Sequence, residues 1–202
     1  MDNQIPHGRK HVKKNMSRTI RITGGLLRGR AISLIEKKGV RYTSSKVREA
    51  IFNILGDLHG KKILDLFAGA GSFTIEALSR GAATATSVEM DTEMARILKK
   101  NLESLDLNNY CHVLAMDVIY AVPMLSKRAF SYDIIFMDPP YDGGHVEETM
   151  SALRENRIYD PHSLLVIEHS KREVSTVPGH EGWHHIDTKG YGDTVVTILE
   201  AD

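Results

Sequence analysis

From residue 61 onward the chain alternates between strand-like and helix-like segments, and nothing else restricts its fold as much. Seven short runs read as strands: Lys62–Phe67, Ala83–Glu89, His112–Met116, Tyr132–Met137, Ser163–Glu168, Trp183–Lys189 and Thr194–Glu200. Helical spacing falls between them at Gly71–Arg80, Thr92–Leu105, an irregular stretch near Ala121–Leu125, and His145–Glu155. Repeated strand–helix–strand units are satisfied by a parallel sheet covered on both faces. The last two runs are joined only by Gly190-Tyr191-Gly192, too short for a crossover helix, so antiparallel neighbours are expected. A chain of 202 residues holds one such core and a small appendage.

Charge divides the chain at about the same place. Residues 1–62 carry 15 lysines and arginines against 4 acidic residues, and residues 63–202 carry 11 against 22. A basic segment ahead of an acidic body points to a polyanion met through the N-terminal part. Residues 1–17 are polar and basic without periodicity, and a disordered tail is expected there. Residues 18–60 form the extension proper. Arg18–Thr23 alternates, Gly24-Gly25 marks a turn, and Arg30–Leu34 returns, the pattern of a hairpin. Residues 44–57 predict a helix capped by Ser44 or Ser45, with Val47, Ile51, Ile54 and Leu55 as its apolar stripe. A loop through Gly39-Val40-Arg41-Tyr42-Thr43 connects the two.

The first strand of the body runs into Asp65-Leu66-Phe67-Ala68-Gly69-Ala70-Gly71, then a helix. Glycines allow the backbone to approach a ligand, and the helix N-terminus lies just beyond them. Glu89 closes the next strand, placed to accept both hydroxyls of a ribose, and Asp117 follows the third, placed to meet an adenine amine. A dinucleotide-binding dehydrogenase uses a similar turn. Against that stands Thr74, where the third glycine of such a fingerprint belongs.

Asp138-Pro139-Pro140-Tyr141 follows the buried run Tyr132–Met137 and narrows the chemistry further. A carboxylate and a carbonyl ahead of proline accept hydrogen bonds from a planar amine. Two prolines stiffen the loop and add no competing N–H. The tyrosine ring can stack on a base. Such a corner suits an exocyclic amine of a nucleobase taken out of its stack.

These residues resemble the class I S-adenosylmethionine-dependent methyltransferases that act on base amino nitrogens. Arg21–Gly25, Arg28-Gly29-Arg30 and Arg41–Asn53, with Glu76–Ala82, Asn101 and Tyr191–Thr194, are similar to the bacterial RsmD family. The likeness covers about residues 18–200. It implies a Rossmann-like α/β fold with a seven-stranded mixed sheet, order 3-2-1-4-5-7-6, the seventh strand antiparallel. It implies S-adenosyl-L-methionine as cofactor, held by Asp65, Phe67, Ala68, Gly69, Gly71, Glu89, Met90, Asp117, Val118 and Asp138. It implies methyl transfer to the N2 of a guanine in 16S ribosomal RNA, with Asp138, Pro139, Pro140 and Tyr141 gripping the base. RNA contacts would come from Arg21, Arg28, Arg30, Arg41, Thr43, Lys46 and Arg48. Tyr42 departs from the family, where many relatives carry proline.

Other features carry less. No apolar run approaches the ~20 residues of a membrane span, and one cysteine, Cys111, allows no internal disulfide, so a cytoplasmic monomer is expected. Ten histidines show no zinc-ligand spacing, and no metal is expected. Glu168, at the end of the fifth strand, reads equally as a structural or a pocket residue. Two other functions fit the motifs: a DNA adenine-N6 methyltransferase, and a non-catalytic RNA-binding module.

Overall fold

The computed structural model describes residues 18–37, 42–141, 143–172 and 181–202. The expected tail at 1–17 and the loop at 38–41, with Arg41, lie outside them. In chain order the elements are β1 (Arg18–Arg21), β2 (Ala31–Leu34), α1 (Ser45–Leu55), β3 (Lys62–Asp65), α2 (Ser72–Ser79), β4 (Thr84–Val88) and α3 (Thr92–Ser104). Then come β5 (Cys111–Leu114), α4 (Val118–Lys127), β6 (Tyr132–Met137), α5 (His145–Glu155), β7 (Tyr159–Ser170), β8 (Trp183–Tyr191) and β9 (Thr194–Ala201).

Seven strands form one sheet in the order β5-β4-β3-β6-β7-β9-β8. Strands β3 to β7 run parallel, and β9 is antiparallel to both of its neighbours. This is the order that the resemblance implies. The strands alternate faces as a pleat requires. Ile134 and Phe136 of β6 join Ile63, Val166 and Ile198 beneath α1, α2 and α3. Ile135 and Met137 join Leu64, Leu165 and Ile167 beneath α4 and α5. Both faces are covered, which is why the strands read as continuous apolar runs.

The N-terminal extension packs into the first of these layers. Phe52 of α1 lies 5.5 Å from the ring of Phe136 and 6.1 Å from Phe73, and those two are 5.0 Å apart. Burying one such side chain stabilises by about 1.5–3 kcal/mol. Ser44 caps α1 by accepting from Val47 N at 3.2 Å. Its buried face is Val47, Arg48, Ile51 and Phe52, whereas Ile54 is exposed. Val47 and Ile51 of the expected stripe are buried and Leu55 packs against the core, while Phe52 takes the place expected of Ile54 and the buried face also contains an arginine.

Three segments differ from their sequence reading. Helix α4 is a full ten residues, capped by Asp117, where only an irregular stretch near Ala121–Leu125 is expected, and it holds Pro123 within it. Proline removes the bond its N–H would make one turn back, and packing of Val118, Ala121, Val122 and Leu125 holds the helix regardless. Strand β7 starts four residues before the expected Ser163. The β8–β9 hairpin turns at Gly192-Asp193, not at Gly190, since Tyr191 pairs with Thr194 and Gly192 takes φ 67°. A left-handed residue suits a two-residue hairpin.

Candidate active site

Two loops leave the adjacent central strands β3 and β6 at the carboxyl end of the sheet. Beyond β3, Leu66 N donates to Phe136 O of β6 at 3.0 Å, and Ala68 N donates to Val88 O of β4 at 3.0 Å. The glycine turn is therefore threaded between the ends of β4 and β6. The Asp138–Tyr141 corner begins two residues after Phe136, so the two motifs stand side by side.

The turn is closed at the front by Glu89. Its Oε2 accepts from Gly69 N at 2.7 Å and its Oε1 from Asp91 N at 2.8 Å. Burial pushes the Glu89 carboxyl up, opposed by those two hydrogen bonds. Gly71 takes φ 90°, and a Cβ there would lie 2.2 Å from Leu98 Cδ1, so only glycine fits. Behind the turn, Asp65 accepts from Thr74 N at 3.2 Å and Thr74 Oγ1 at 2.7 Å. It is 1% exposed, and burial pushes its carboxyl up to about 6. Asp65 thus braces the turn from inside instead of lining the cleft. Thr74, the residue that breaks the dehydrogenase fingerprint, is its partner. Thr74 Oγ1 is also 2.8 Å from Ser87 Oγ, which is 3.3 Å from Cys111 Sγ. Burial pushes the Cys111 thiol up to about 11, the state of a packed thiol and not of a nucleophile.

The remaining cofactor candidates lie in the turn or follow β4 and β5 at the same carboxyl end of the sheet. Ala68 is buried and Phe67 half-buried, with its ring 6.5 Å from that of His145. Met90 is 68% exposed, just past Glu89. Asp117 caps α4 by accepting from Ile119 N at 3.0 Å, and Val118 behind it is buried.

At the corner, Pro139 is buried, Pro140 exposed, and Asp138 and Tyr141 half-buried. The Tyr141 hydroxyl is 3.1 Å from Thr194 Oγ1 on β9. Met137 pairs with Ile167, so Asp138 and Glu168 are the next residues on neighbouring strands. Thr43, from the extension, joins them. Its Oγ1 lies 3.1 Å from Asp138 Oδ2 and 2.9 Å from Glu168 Oε2. Thr43 was expected at the RNA-facing rim; it is buried and reaches into the corner itself.

Arg48 is also displaced from its expected role. It is 0% exposed, with Nε 3.2 Å from Glu76 Oε2 and Nη2 on the carbonyl of Arg21. A guanidinium enclosed in this way offers no face to a phosphate. Glu76 in turn accepts from Thr23 N (2.9 Å), Thr23 Oγ1 (2.7 Å), Gly24 N (2.7 Å) and Arg80 Nε (2.9 Å). Burial works to raise the Glu76 carboxyl, and these donors outweigh it, so the net shift is downward. Gly24-Gly25 is therefore a docking surface more than a hairpin turn. A Cβ on Gly25 would fall 1.8 Å from Ser79 O.

Arg21, Arg28, Arg30 and Lys46 are exposed. Arg21 Nη1 donates to Gly29 O at 2.8 Å, and Arg30 Nη2 donates to Ser104 O at 3.3 Å near the end of α3. A cavity of about 470 Å³ lies elsewhere, against Lys62, Thr84, Cys111 and Tyr132 at the amino ends of the strands. The chemistry-bearing residues stand at the carboxyl ends, where open α/β sheets bind ligands. No helix among the described residues is long and apolar enough to cross a membrane.

A family model described as conserved hypothetical protein 95 matches residues 20–200. Ribosomal RNA small subunit methyltransferase D of Escherichia coli strain K12 is 36% identical over 173 residues, 85% of each chain. The protein of the same name from Haemophilus influenzae is 33% identical over 180 residues, 88% of this chain and 92% of that one. The solved structure of yhhF from Escherichia coli superposes with a TM-score of 0.80 at 30% identity, covering 92% of this chain and 99% of the other.

Proposed function

The chain belongs to the RsmD family, whose members carry the fold of class I S-adenosylmethionine-dependent methyltransferases, and on that premise we propose that it methylates the exocyclic N2 of a guanine in 16S ribosomal RNA. The observation that carries this reading is the adjacency of the Asp138 corner to the glycine turn on hydrogen-bonded strands. In this reading a base-amine grip and a nucleoside cradle stand side by side at the carboxyl ends of two central strands.

The residues present fit S-adenosyl-L-methionine. Gly69 and Gly71 keep the backbone of the turn open, Glu89 is fixed at a strand end for ribose hydroxyls, and Asp117 and Val118 stand at the next strand end for adenine. Bound there, S-adenosyl-L-methionine would supply an activated methyl group on a sulfonium, a leaving group that needs no further activation from the protein. The protein's share is mainly position, worth about 7–11 kcal/mol in favourable cases. Hydrogen bonds from the N2 amine to Asp138 and the Pro139 carbonyl aim its lone pair. Asp138 stabilises the positive charge that nitrogen gains before losing a proton. Tyr141 stacks on the extruded base. Arg21, Arg28, Arg30, Lys46 and Arg41 supply phosphate contacts, and the substrate is 16S ribosomal RNA free or in a partly assembled small subunit.

The test is transfer of labelled methyl to small-subunit RNA and to duplex DNA, followed by mass mapping of the modified nucleotide. N2-methylguanine in the RNA is expected. Methyl-adenine in DNA would replace this reading, and no transfer together with no heat of S-adenosylmethionine binding would reduce the chain to a binding module. Asp138→Ala is expected to abolish transfer while cofactor binding persists.

A further inference from the structure

We propose that Glu168 reads the N1–H of the target guanine and so sets the base specificity of the site, an inference that rests on the methyltransferase reading above. The observation is the pair of carboxylates meeting on Thr43. Asp138 Oδ2 and Glu168 Oε2 lie 3.1 and 2.9 Å from one hydroxyl oxygen, so the two acceptors are within the sum of those distances. They end neighbouring parallel strands whose register is fixed through Met137 and Ile167.

A second carboxylate beside the catalytic one has a chemical meaning. An enzyme that extrudes a base reads its Watson–Crick edge by hydrogen bonds. On that edge guanine presents two adjacent donors, the N2 amine and N1–H. Adenine presents an amine beside a bare ring nitrogen. Asp138 alone accepts from either amine. Asp138 and Glu168 together match guanine, and against adenine they set a carboxylate facing a lone pair. Sites built to hydrogen-bond a donor reject analogues without it far more strongly than apolar pockets discriminate by shape. Thr43 has one hydroxyl proton, so it donates to one carboxylate at a time while lying within reach of both. That position makes the basic extension part of the base-reading corner.

The experiment uses a small-subunit RNA fragment carrying either guanine or 2-aminopurine at the methylated position. 2-Aminopurine keeps the N2 amine and has a bare N1. The unaltered protein should favour guanine by about 10- to 100-fold in kcat/KM, the range of one or two good base contacts. Glu168→Gln places an amide donor opposite N1, so the ratio should fall to near one or invert as 2-aminopurine improves. A loss of structure alone lowers both substrates and leaves the ratio where it was; an unchanged ratio therefore overturns the assignment. Equal rates on both bases by the unaltered protein overturn it without any variant. Failure of the unaltered protein to methylate guanine in any small-subunit RNA removes the parent reading, and this one with it.

Discussion

Asn101 and Ser33 exchange two hydrogen bonds of 3.0 Å, the side-chain amide of one matched to the backbone N–H and C=O of the other. The same amide nitrogen donates to Ala70 O at 2.9 Å, inside the glycine turn. One buried side chain on α3 thus clamps the N-terminal hairpin to the cofactor cradle. Asn101→Ala leaves the Ser33 and Ala70 groups without this partner; Ser33 is exposed and can turn to water, whereas the buried Ala70 carbonyl left unsatisfied costs about 1–3 kcal/mol. We expect a loss of about 1–3 kcal/mol in urea unfolding and weaker S-adenosylmethionine binding by calorimetry. Unchanged affinity in a folded Asn101→Ala protein would mean the turn is rigid without the clamp.

Glu76 is the corresponding hub at the other end of the extension. Its partner Arg48 is wholly enclosed, and removing one member of a buried ion pair costs about 3–5 kcal/mol. Glu76→Ala should lower the urea-unfolding free energy by that order. Arg48→Ala should also destabilise, yet leave the salt dependence of RNA binding as it was. Lys46→Ala should do the reverse, keeping stability and lowering the salt slope by about one. An Arg48→Ala protein with a reduced slope would return Arg48 to the RNA surface.

The contrast between Lys46 and Arg48 shows what a sequence exposes and what it conceals. The strands and the glycine turn were legible because buried strands must be apolar and tight turns need glycine, both local facts, whereas the strand order came only with the family resemblance. Arg48 carried a local signal too, since it stands one turn before Phe52 and beside Val47, on the face that must be buried. Its partner was not legible, because Glu76 lies 28 residues from Arg48, and the Thr23 and Gly24 donors that complete the hub lie more than 50 residues from Glu76. Helix α4 was legible only in part: Pro123 stands within it, and tertiary packing sustains a helix that proline disfavours locally. Glu168 stayed ambiguous because its meaning depends on Thr43, 125 residues away.

Asp65 gives a pH signature. An exposed aspartate titrates near ~3.9, and burial raises this one to about 6. Between those values the folded protein holds a proton that the unfolded chain has released. Stability from this group is therefore full below about pH 4 and is lost as pH rises to about 6, by at most about 3 kcal/mol. Asp65→Asn has no such titration. The difference in urea-unfolding free energy, unaltered protein minus Asp65→Asn, should fall between pH 4.5 and pH 7.5. A difference that is flat, or that rises, would show that the Thr74 hydrogen bonds hold the carboxyl ionised across the range.

Tyr141 separates the two jobs that an aromatic hydroxyl can do at the corner. Its hydroxyl meets Thr194 Oγ1 at 3.1 Å, which ties the loop to β9. Its ring is assigned to stacking on the extruded guanine. Stacking of a base on an aromatic ring is worth about 1–3 kcal/mol, so Tyr141→Ala should lower kcat/KM on 16S ribosomal RNA by about 5- to 150-fold. Tyr141→Phe keeps the ring and removes the hydroxyl, and should stay within a few-fold of the unaltered protein. Thr194→Val severs the same contact from the other side and should match Tyr141→Phe. If Tyr141→Phe and Thr194→Val both fall as far as Tyr141→Ala in steady-state methyl transfer, the tyrosine acts by fixing the loop through β9 and not by holding the base.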